Sequence, residues 1–282
     1  MSETVQFRSI AQLNSTILLS ISKFPKDIDI IVGVPRSGML PANLLALYMN
    51  KPYTDIESFL EGKVYACGYR GNYIKDHKIR KVLVIDDSVS SGSAIRKAKA
   101  KLEGLAYNFL FAAVYVRNSS KSEVDIFCEV VDGLRVFEWN LFHHEMILSR
   151  SCMDIDGVLC RDPYPEENDD GANYIKFLST VDPRFIPTVK INTLVTCRLE
   201  KYRKETEIWL NKNHIKYDRL VMLNMNSAYE RRIWGKYGEY KAEIYKDPYY
   251  IFFIESSLRE ARIIRDTTGK SVFCTETMSI LQ

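Results

Sequence analysis

The chain has 282 residues, 46% of them hydrophobic and 27% charged, with a formal net charge of +3. This composition suits one or two domains with ample core and is ordinary for a soluble protein. A balance of +3 is too small to argue for a nucleic-acid partner, no apolar run is long enough to span a membrane, and the start MSETVQFRSI lacks a basic segment followed by an apolar core, so the expected location is cytoplasmic.

Cys67, Cys128, Cys152, Cys160, Cys197 and Cys274 form no CxxC pair and read as reduced core thiols. His77, His143, His144 and His214 lack metal-ligand spacing.

In chain order, Ile10 to Ile21 carry apolar side chains at helical spacing, and Phe24-Pro25 ends that helix. Ile28 to Val32 reads as a strand. The loop Gly33-Val34-Pro35-Arg36-Ser37-Gly38 follows, then a helix from Leu40 to Met49. Such a unit places its loop at the carboxyl end of a parallel strand. Arg36 can donate to two phosphate oxygens, and the small Ser37 and Gly38 admit close backbone approach. Residues 53–81 make a basic connection that includes Lys63 and Arg70.

Val82 to Ile85 reads as a buried strand, followed by Asp86 and Asp87 and a run of small residues from Ser88 to Ala94; a helical pattern starts near Ile95. The backbone N–H groups of Ser90, Ser91, Gly92, Ser93 and Ala94 can converge there into an anion site suited to phosphate. Two acids at the strand end would repel a phosphate and suit sugar hydroxyls or a magnesium ion instead. Acids beside a phosphate cradle therefore suggest a phosphorylated sugar. The plain alternative is a strand–turn–helix with solvated acids.

These stretches resemble the signature of type I phosphoribosyltransferases, which bind 5-phosphoribosyl 1-pyrophosphate (PRPP). The resemblance implies that Asp86 and Asp87 hold the ribose hydroxyls and that Ser90, Ser91, Gly92, Ser93 and Ala94 hold the 5-phosphate. Ala94 stands where the family usually has threonine, which removes one hydroxyl contact. Arg36, Ser37 and Gly38 match the loop that contacts pyrophosphate. Lys63 and Arg70 are candidates for the family's mobile basic loop, which excludes water from an oxocarbenium-like transition state. Asn108 to Val116 and Val124 to Val131 read as further strands, and Phe137 to Asn140 closes the first domain. Trp139 suits an acceptor stack or the core equally.

A new sheet is expected from about Ile147. Met153-Asp154-Ile155-Asp156-Gly157 ends an apolar strand with two acids two residues apart, both on one side of an extended chain. One carboxylate can attack phosphorus while the other works as general acid and base, and magnesium would hold the first acid and the phosphate together. Arg161 to Gly171 is a polar loop. Ile191 to Val195 is a strand ending in Thr196; Lys241 opens a helical pattern; Ile251 to Ile254 is a strand ending in Glu255-Ser256-Ser257, with Glu260 a turn later. The order acid pair, hydroxyl, lysine, acid resembles the haloacid dehalogenase (HAD) phosphatases. That resemblance makes Asp154 the nucleophile, Asp156 the acid/base, Thr196 and Lys241 the phosphate binders, and Asp154, Asp156 and Glu255 the magnesium set. Glu255 replaces the usual Asp, and Ser256 a frequent second acid.

The expected architecture is α/β: two Rossmann-like parallel-sheet domains, residues 1–146 with a type I phosphoribosyltransferase fold and residues 147–282 with a HAD-like fold of minimal cap and open site. Asp86, Asp87, Asp154 and Asp156 are expected to carry the chemistry. Joined, the halves resemble bifunctional enzymes that build ribofuranose into bacterial surface polysaccharides. They would transfer phosphoribose from PRPP to a glycan or lipid-linked saccharide, release pyrophosphate, and strip the 5-phosphate. Nucleotide salvage, with a nucleobase acceptor and a nucleotidase, is the alternative. A PRPP-sensing regulatory protein is a third reading. Type I phosphoribosyltransferases are often dimers, and no interface is legible in the sequence.

Overall fold

The computed structural model describes residues 5–65 and 78–282. Arg70, Cys67 and His77 lie outside the described residues. The described chain divides into two compact units, residues 8–135 and residues 136–282 with 5–7. They part between Arg135 and Val136. A two-stranded pair of β1 (Val5–Arg8) with β7 (Leu134–Phe137) lies where the chain passes between units. No helix among the described residues is long and apolar enough to cross a membrane.

In the first unit, α1 (Ile10–Leu19) opens on a capping box in which Ser9 and Gln12 serve each other's backbone N–H groups. It is followed by β2 (Ile30–Gly33), α2 (Met39–Met49), β3 (Tyr53–Asp55) and α3 (Ile56–Leu60). Then come β4 (Lys81–Val89), α4 (Ser93–Leu102), β5 (Asn108–Val116) and β6 (Ile126–Val130). The sheet order is β3-β2-β4-β5-β6, parallel throughout. β2 reads Ile-Ile-Val-Gly and is buried along its length, as a strand covered on both faces must be. Ile30, Val32, Val82 and Val84 pack with Ile95, Ala98 and Leu102 of α4 into one core.

β4 does not stop at Ile85. It continues through both acids to Val89, because β5 is long enough to pair with it: Asp86 faces Ala113, Ser88 faces Tyr115 and Val89 faces Val116. The acids thus stand inside a central strand, both buried.

The second unit holds α5 (Glu145–Leu148), β8 (Ser151–Met153), α6 (Ala172–Thr180), β9 (Ile191–Leu199), α7 (Arg203–Lys212) and β10 (Tyr217–Leu223). These are followed by α8 (Ala228–Trp234), α9 (Tyr237–Tyr245), β11 (Phe252–Glu255), α10 (Leu258–Thr268), β12 (Val272–Cys274) and β13 (Ser279–Leu281). Its sheet order is β10-β9-β8-β11-β12-β13, parallel except where β13 runs antiparallel to β12. The strand expected to end at Thr196 runs on to Leu199, since β10 pairs with it across a bulge as far as Leu223. Lys241 lies in the middle of α9 rather than at its start.

Both sheets have a switch point, where the chain leaves neighbouring strands in opposite directions. In the first sheet it falls between β2 and β4, in the second between β8 and β11. Open parallel sheets bind ligands at the carboxyl ends of such strands. The motifs singled out in the sequence sit at these two places.

Candidate functional site

At the first switch point, the loop after β2 is tied to β4. Val34 N–H donates to the Ile85 carbonyl at 2.9 Å, and the Ser37 hydroxyl donates to Asp87 Oδ1 at 2.8 Å. Asp86 Oδ1 accepts the N–H of Asp87 at 2.9 Å. The peptide between Pro35 and Arg36 is cis. Arg36 is exposed, and Ser37 is half-buried beside the acid pair.

Gly38 is where the loop approaches β4 most closely. A Cβ there would lie 2.4 Å from the Val34 carbonyl, 2.9 Å from that of Ile85 and 2.9 Å from Asp86 Oδ1. Two of these atoms are backbone and cannot swing away. Gly38→Ala is therefore expected to cost about 1–3 kcal/mol, the usual range for overpacking, and to weaken any ligand held by this loop. Urea unfolding and PRPP titration would check both.

Ser90, Ser91, Ser93 and Ala94 are exposed, and Gly92 adopts φ +77° before α4 begins at Ser93. Only glycine takes that conformation without strain. The loop is braced from below. Arg135, 6% exposed, directs both terminal nitrogens at the Val89 carbonyl at 3.3 Å. Burial lowers its guanidinium to about 10, against the pull of Asp87. Arg96 donates to the Ser91 carbonyl at 2.8 Å and pairs with Glu123, and Ser120 donates to the Ser90 carbonyl. None of Arg135, Arg96, Glu123 and Ser120 was singled out from the sequence. The ammonium of Lys63 pairs with Glu61 on the surface at 2.5 Å.

Burial, with the Asp87 carboxylate next to it, raises Asp86 to about 9 from an ordinary 3.8. Folding thus makes Asp86 take up a proton. Its contribution is complete below about pH 4 and is lost as pH rises towards 9. Asp86→Asn, which cannot ionise, is expected to raise the melting temperature of the ligand-free chain at pH 8 and to leave it unchanged at pH 3.5; scanning calorimetry across that range is the check. The adjacent carboxyl groups fit a magnesium ion that takes one or two protein oxygens and draws the rest from phosphate and water, Asp86 giving up its proton to the incoming cation.

At the second switch point, Asp154 follows β8 and Glu255 ends β11. Lys241 Nζ reaches in from α9 and donates to Asp154 Oδ2 at 2.6 Å, Glu255 Oε2 at 2.7 Å and Glu260 Oε2 at 2.7 Å. Lys241, Asp154 and Glu255 are buried. The three carboxylates hold the ammonium of Lys241 well above its usual range despite burial. Burial, with Glu255 and Asp156 nearby, raises the Asp154 carboxyl against the pull of Lys241. Asp162, near the same group, is raised as well, chiefly by burial and by Asp156. Asp156 is engaged separately: the buried Arg198, two residues past Thr196, forks onto both its oxygens. Thr196 is buried, and its hydroxyl oxygen accepts the Arg198 N–H at 3.2 Å.

These groups open on a cavity of about 580 Å³. Asp162, Asn168, Tyr174 and Arg184 line it, as do Arg231, Arg232 and Tyr237, from α8 and the start of α9. Arg198, Glu260 in its ion pair, and Asp162 were not assigned roles from the sequence.

Among the described residues no group of three histidine, cysteine or acidic side chains is arranged to hold a metal ion alone. The surplus of carboxylates around Lys241 still fits a magnesium ion in charge, and Asp154 has the spare capacity, since among the described residues Oδ1 accepts only the Ile155 N–H at 2.7 Å. Glu255 Oε1 accepts from Ser256 N at 2.8 Å, Ser257 N at 3.1 Å and Ser256 Oγ at 3.3 Å, and its Oε2 accepts from Lys241. Asp156 accepts from Arg198.

The family model of the phosphoribosyl transferase domain matches residues 6–149, which takes in both loops of the first switch point. No curated protein matches the chain. Among solved structures, the purine phosphoribosyltransferase from Pyrococcus horikoshii Ot3 is similar at 19% identity over 48% of this chain and 93% of that one, with a TM-score of 0.37. The Helicobacter pylori xanthine-guanine-hypoxanthine phosphoribosyltransferase is similar at 19% identity over 49% and 94%, with a TM-score of 0.36. The adenine phosphoribosyltransferase from Saccharomyces cerevisiae is similar at 22% identity over 43% and 76%, with a TM-score of 0.30.

Proposed function

Because the chain belongs, through residues 6–149, to the phosphoribosyl transferase domain family, we propose that it transfers the 5-phosphoribosyl group of PRPP to an acceptor, and that its second unit, read as HAD-like, removes the 5-phosphate from the product. The observation that carries the first step is the tie between the two loops at one switch point, with Ser37 bonded to Asp87. In this reading Asp86 and Asp87 accept the ribose hydroxyls. Ser90, Ser91, Gly92, Ser93 and Ala94 take the 5-phosphate on converging N–H groups at the start of α4. Arg36, with the N–H groups of Ser37 and Gly38, draws off pyrophosphate. Asp86 or Asp87 would hold magnesium, which would supply charge neutralisation for the leaving group. The acceptor attacks C1 opposite the departing pyrophosphate, so an α-anomer gives a β-linked product.

The second step is supported by the meeting of Asp154, Asp156, Thr196 and Lys241 at one cavity. Asp154 attacks phosphorus and forms an aspartyl phosphate. The ester P–O bond breaks, and Asp156 protonates the leaving oxygen. Water, deprotonated by Asp156, then releases phosphate. Lys241 and the Thr196 hydroxyl hold the phosphate oxygens. Magnesium bound at Asp154 supplies further charge neutralisation.

A saccharide hydroxyl in surface polysaccharide synthesis is the first acceptor we assign, on the resemblance to ribofuranose-building fusions. A nucleobase is the second, and the cavity volume of about 580 Å³ favours it, because that is the size of a small-molecule site. Mass spectrometry of reactions with PRPP, magnesium, and panels of short glycans and nucleobases tests both. A gain of phosphoribose that falls to ribose identifies the acceptor class. PRPP binding without turnover on either panel would point to a sensor.

A further inference from the structure

We infer that Arg198 is the positioning residue of the second site: it locks the Asp156 carboxylate so that Oδ2, not Oδ1, is the oxygen that exchanges a proton with the phosphoester. This rests on the phosphatase reading above and adds to it a residue outside the acid pair, hydroxyl and lysine.

The guanidinium has no exposed surface. Its Nη2 lies 2.6 Å from Asp156 Oδ1, and its Nε lies 3.0 Å from Oδ2 and 3.2 Å from Oδ1. The Cys160 thiol donates to Oδ1 at 3.4 Å. On the far side Nη1 meets the buried Thr206 hydroxyl at 3.4 Å, and the rings of Phe177 and Trp209 flank the group at 6.0 and 5.9 Å. Packed this way the fork has one orientation.

The two carboxylate oxygens are not equivalent under it. A carboxylate oxygen has two lone pairs. Oδ1 accepts from Nη2, from Nε at 3.2 Å and from the thiol, whereas among the described residues Oδ2 accepts only from Nε and keeps capacity. Asp156 is also the partner that reaches the cavity, with 18% of its side chain exposed. Free rotation about Cβ–Cγ would interchange the oxygens, and the fork prevents it. In the reaction, Oδ2 first takes a proton from solvent and then gives it to the leaving oxygen as the ester P–O bond breaks. It then takes a proton from water as water cleaves the aspartyl phosphate, which restores the Asp154 carboxylate.

Arg198→Lys keeps the charge and loses the fork. With the full chain and two probes, ribose 5-phosphate and p-nitrophenyl phosphate, kcat is expected to fall about 100-fold, the usual effect of misplacing a catalytic group by an ångström, with KM within about twofold. Added to Asp156→Asn, the same change should lower kcat no further. A kcat close to that of the unsubstituted chain overturns the inference while leaving the phosphatase reading intact. So does a rise in KM at constant kcat, which would make Arg198 a substrate contact. If Arg198→Lys does not fold by circular dichroism, Thr206→Val removes only the far anchor of the guanidinium. It should lower kcat several-fold at constant KM, and an unchanged kcat overturns the inference. No phosphate from either probe with the unsubstituted chain sinks the phosphatase reading, and the inference falls with it.

Discussion

Asp154→Asn is expected to stop phosphate release by at least about a thousand-fold, as removal of a nucleophile does, and to leave pyrophosphate release from PRPP untouched. Asparagine keeps the shape of the side chain and, with its amide oxygen at Oδ1, the hydrogen bond from the Ile155 N–H; its amide nitrogen gives up the bond from Lys241, and it does not form an aspartyl phosphate. The substitution should not unfold the unit. Lys241 would still pair with Glu255 and Glu260 at 2.7 Å each. The buried Asp154 carboxyl is itself held above the usual carboxylate range by burial and by Glu255, so a neutral side chain relieves repulsion. A melting temperature equal to or above that of the unsubstituted chain, together with a phosphorylated product that accumulates, is the expected pair of results. Product that still emerges dephosphorylated would show that Asp154 is not the nucleophile.

The sequence showed the two stretches around which the sites assemble because their signals are local. Four apolar residues, two acids and a small-residue loop specify β4, Asp86, Asp87 and the start of α4 within one short run. The strand's true end was not legible, because it depends on the length of β5, which offers partners as far as Val116. The same holds for β9, which β10 carries past Thr196. Lys241 stood out as a lysine in a helical pattern, but its threefold pairing depends on Asp154, Glu255 and Glu260, which come from other elements. Arg198 was the hardest to find. Its partner Asp156 lies on another segment, and a lone arginine in an apolar strand carries no periodic signal. Arg135, under the phosphate loop, is hidden in the same way, since only the fold brings it to Val89. The lining of the second cavity includes Asp162, Arg184 and Arg231 from separate polar segments, and only the tertiary fold brings them together.

Asp87→Asn should do the reverse of Asp154→Asn: pyrophosphate release fails while phosphate release from an added phosphoester continues. Asp87 is buried in a central strand, and its Oδ1 already accepts from Ser37 at 2.8 Å. An amide oxygen can keep that bond, so the loop after β2 stays tied to β4 and Val34 still donates to Ile85. What the amide removes is the charge that strengthens bonds from the ribose hydroxyls. A hydrogen bond to a charged group contributes about 1.5–3 kcal/mol, so kcat/KM for PRPP should fall roughly 10- to 100-fold for each ribose bond weakened. Ser37→Ala separates the two parts of this argument. It breaks the tie between the loops but leaves the carboxylate, and should cost less than Asp87→Asn in kcat/KM. Equal losses would mean that Asp87 serves the loop rather than the ribose. Full transferase activity in Asp87→Asn would remove Asp87 from the ribose-binding role and leave Asp86, the phosphate loop and the Arg36 loop to hold PRPP.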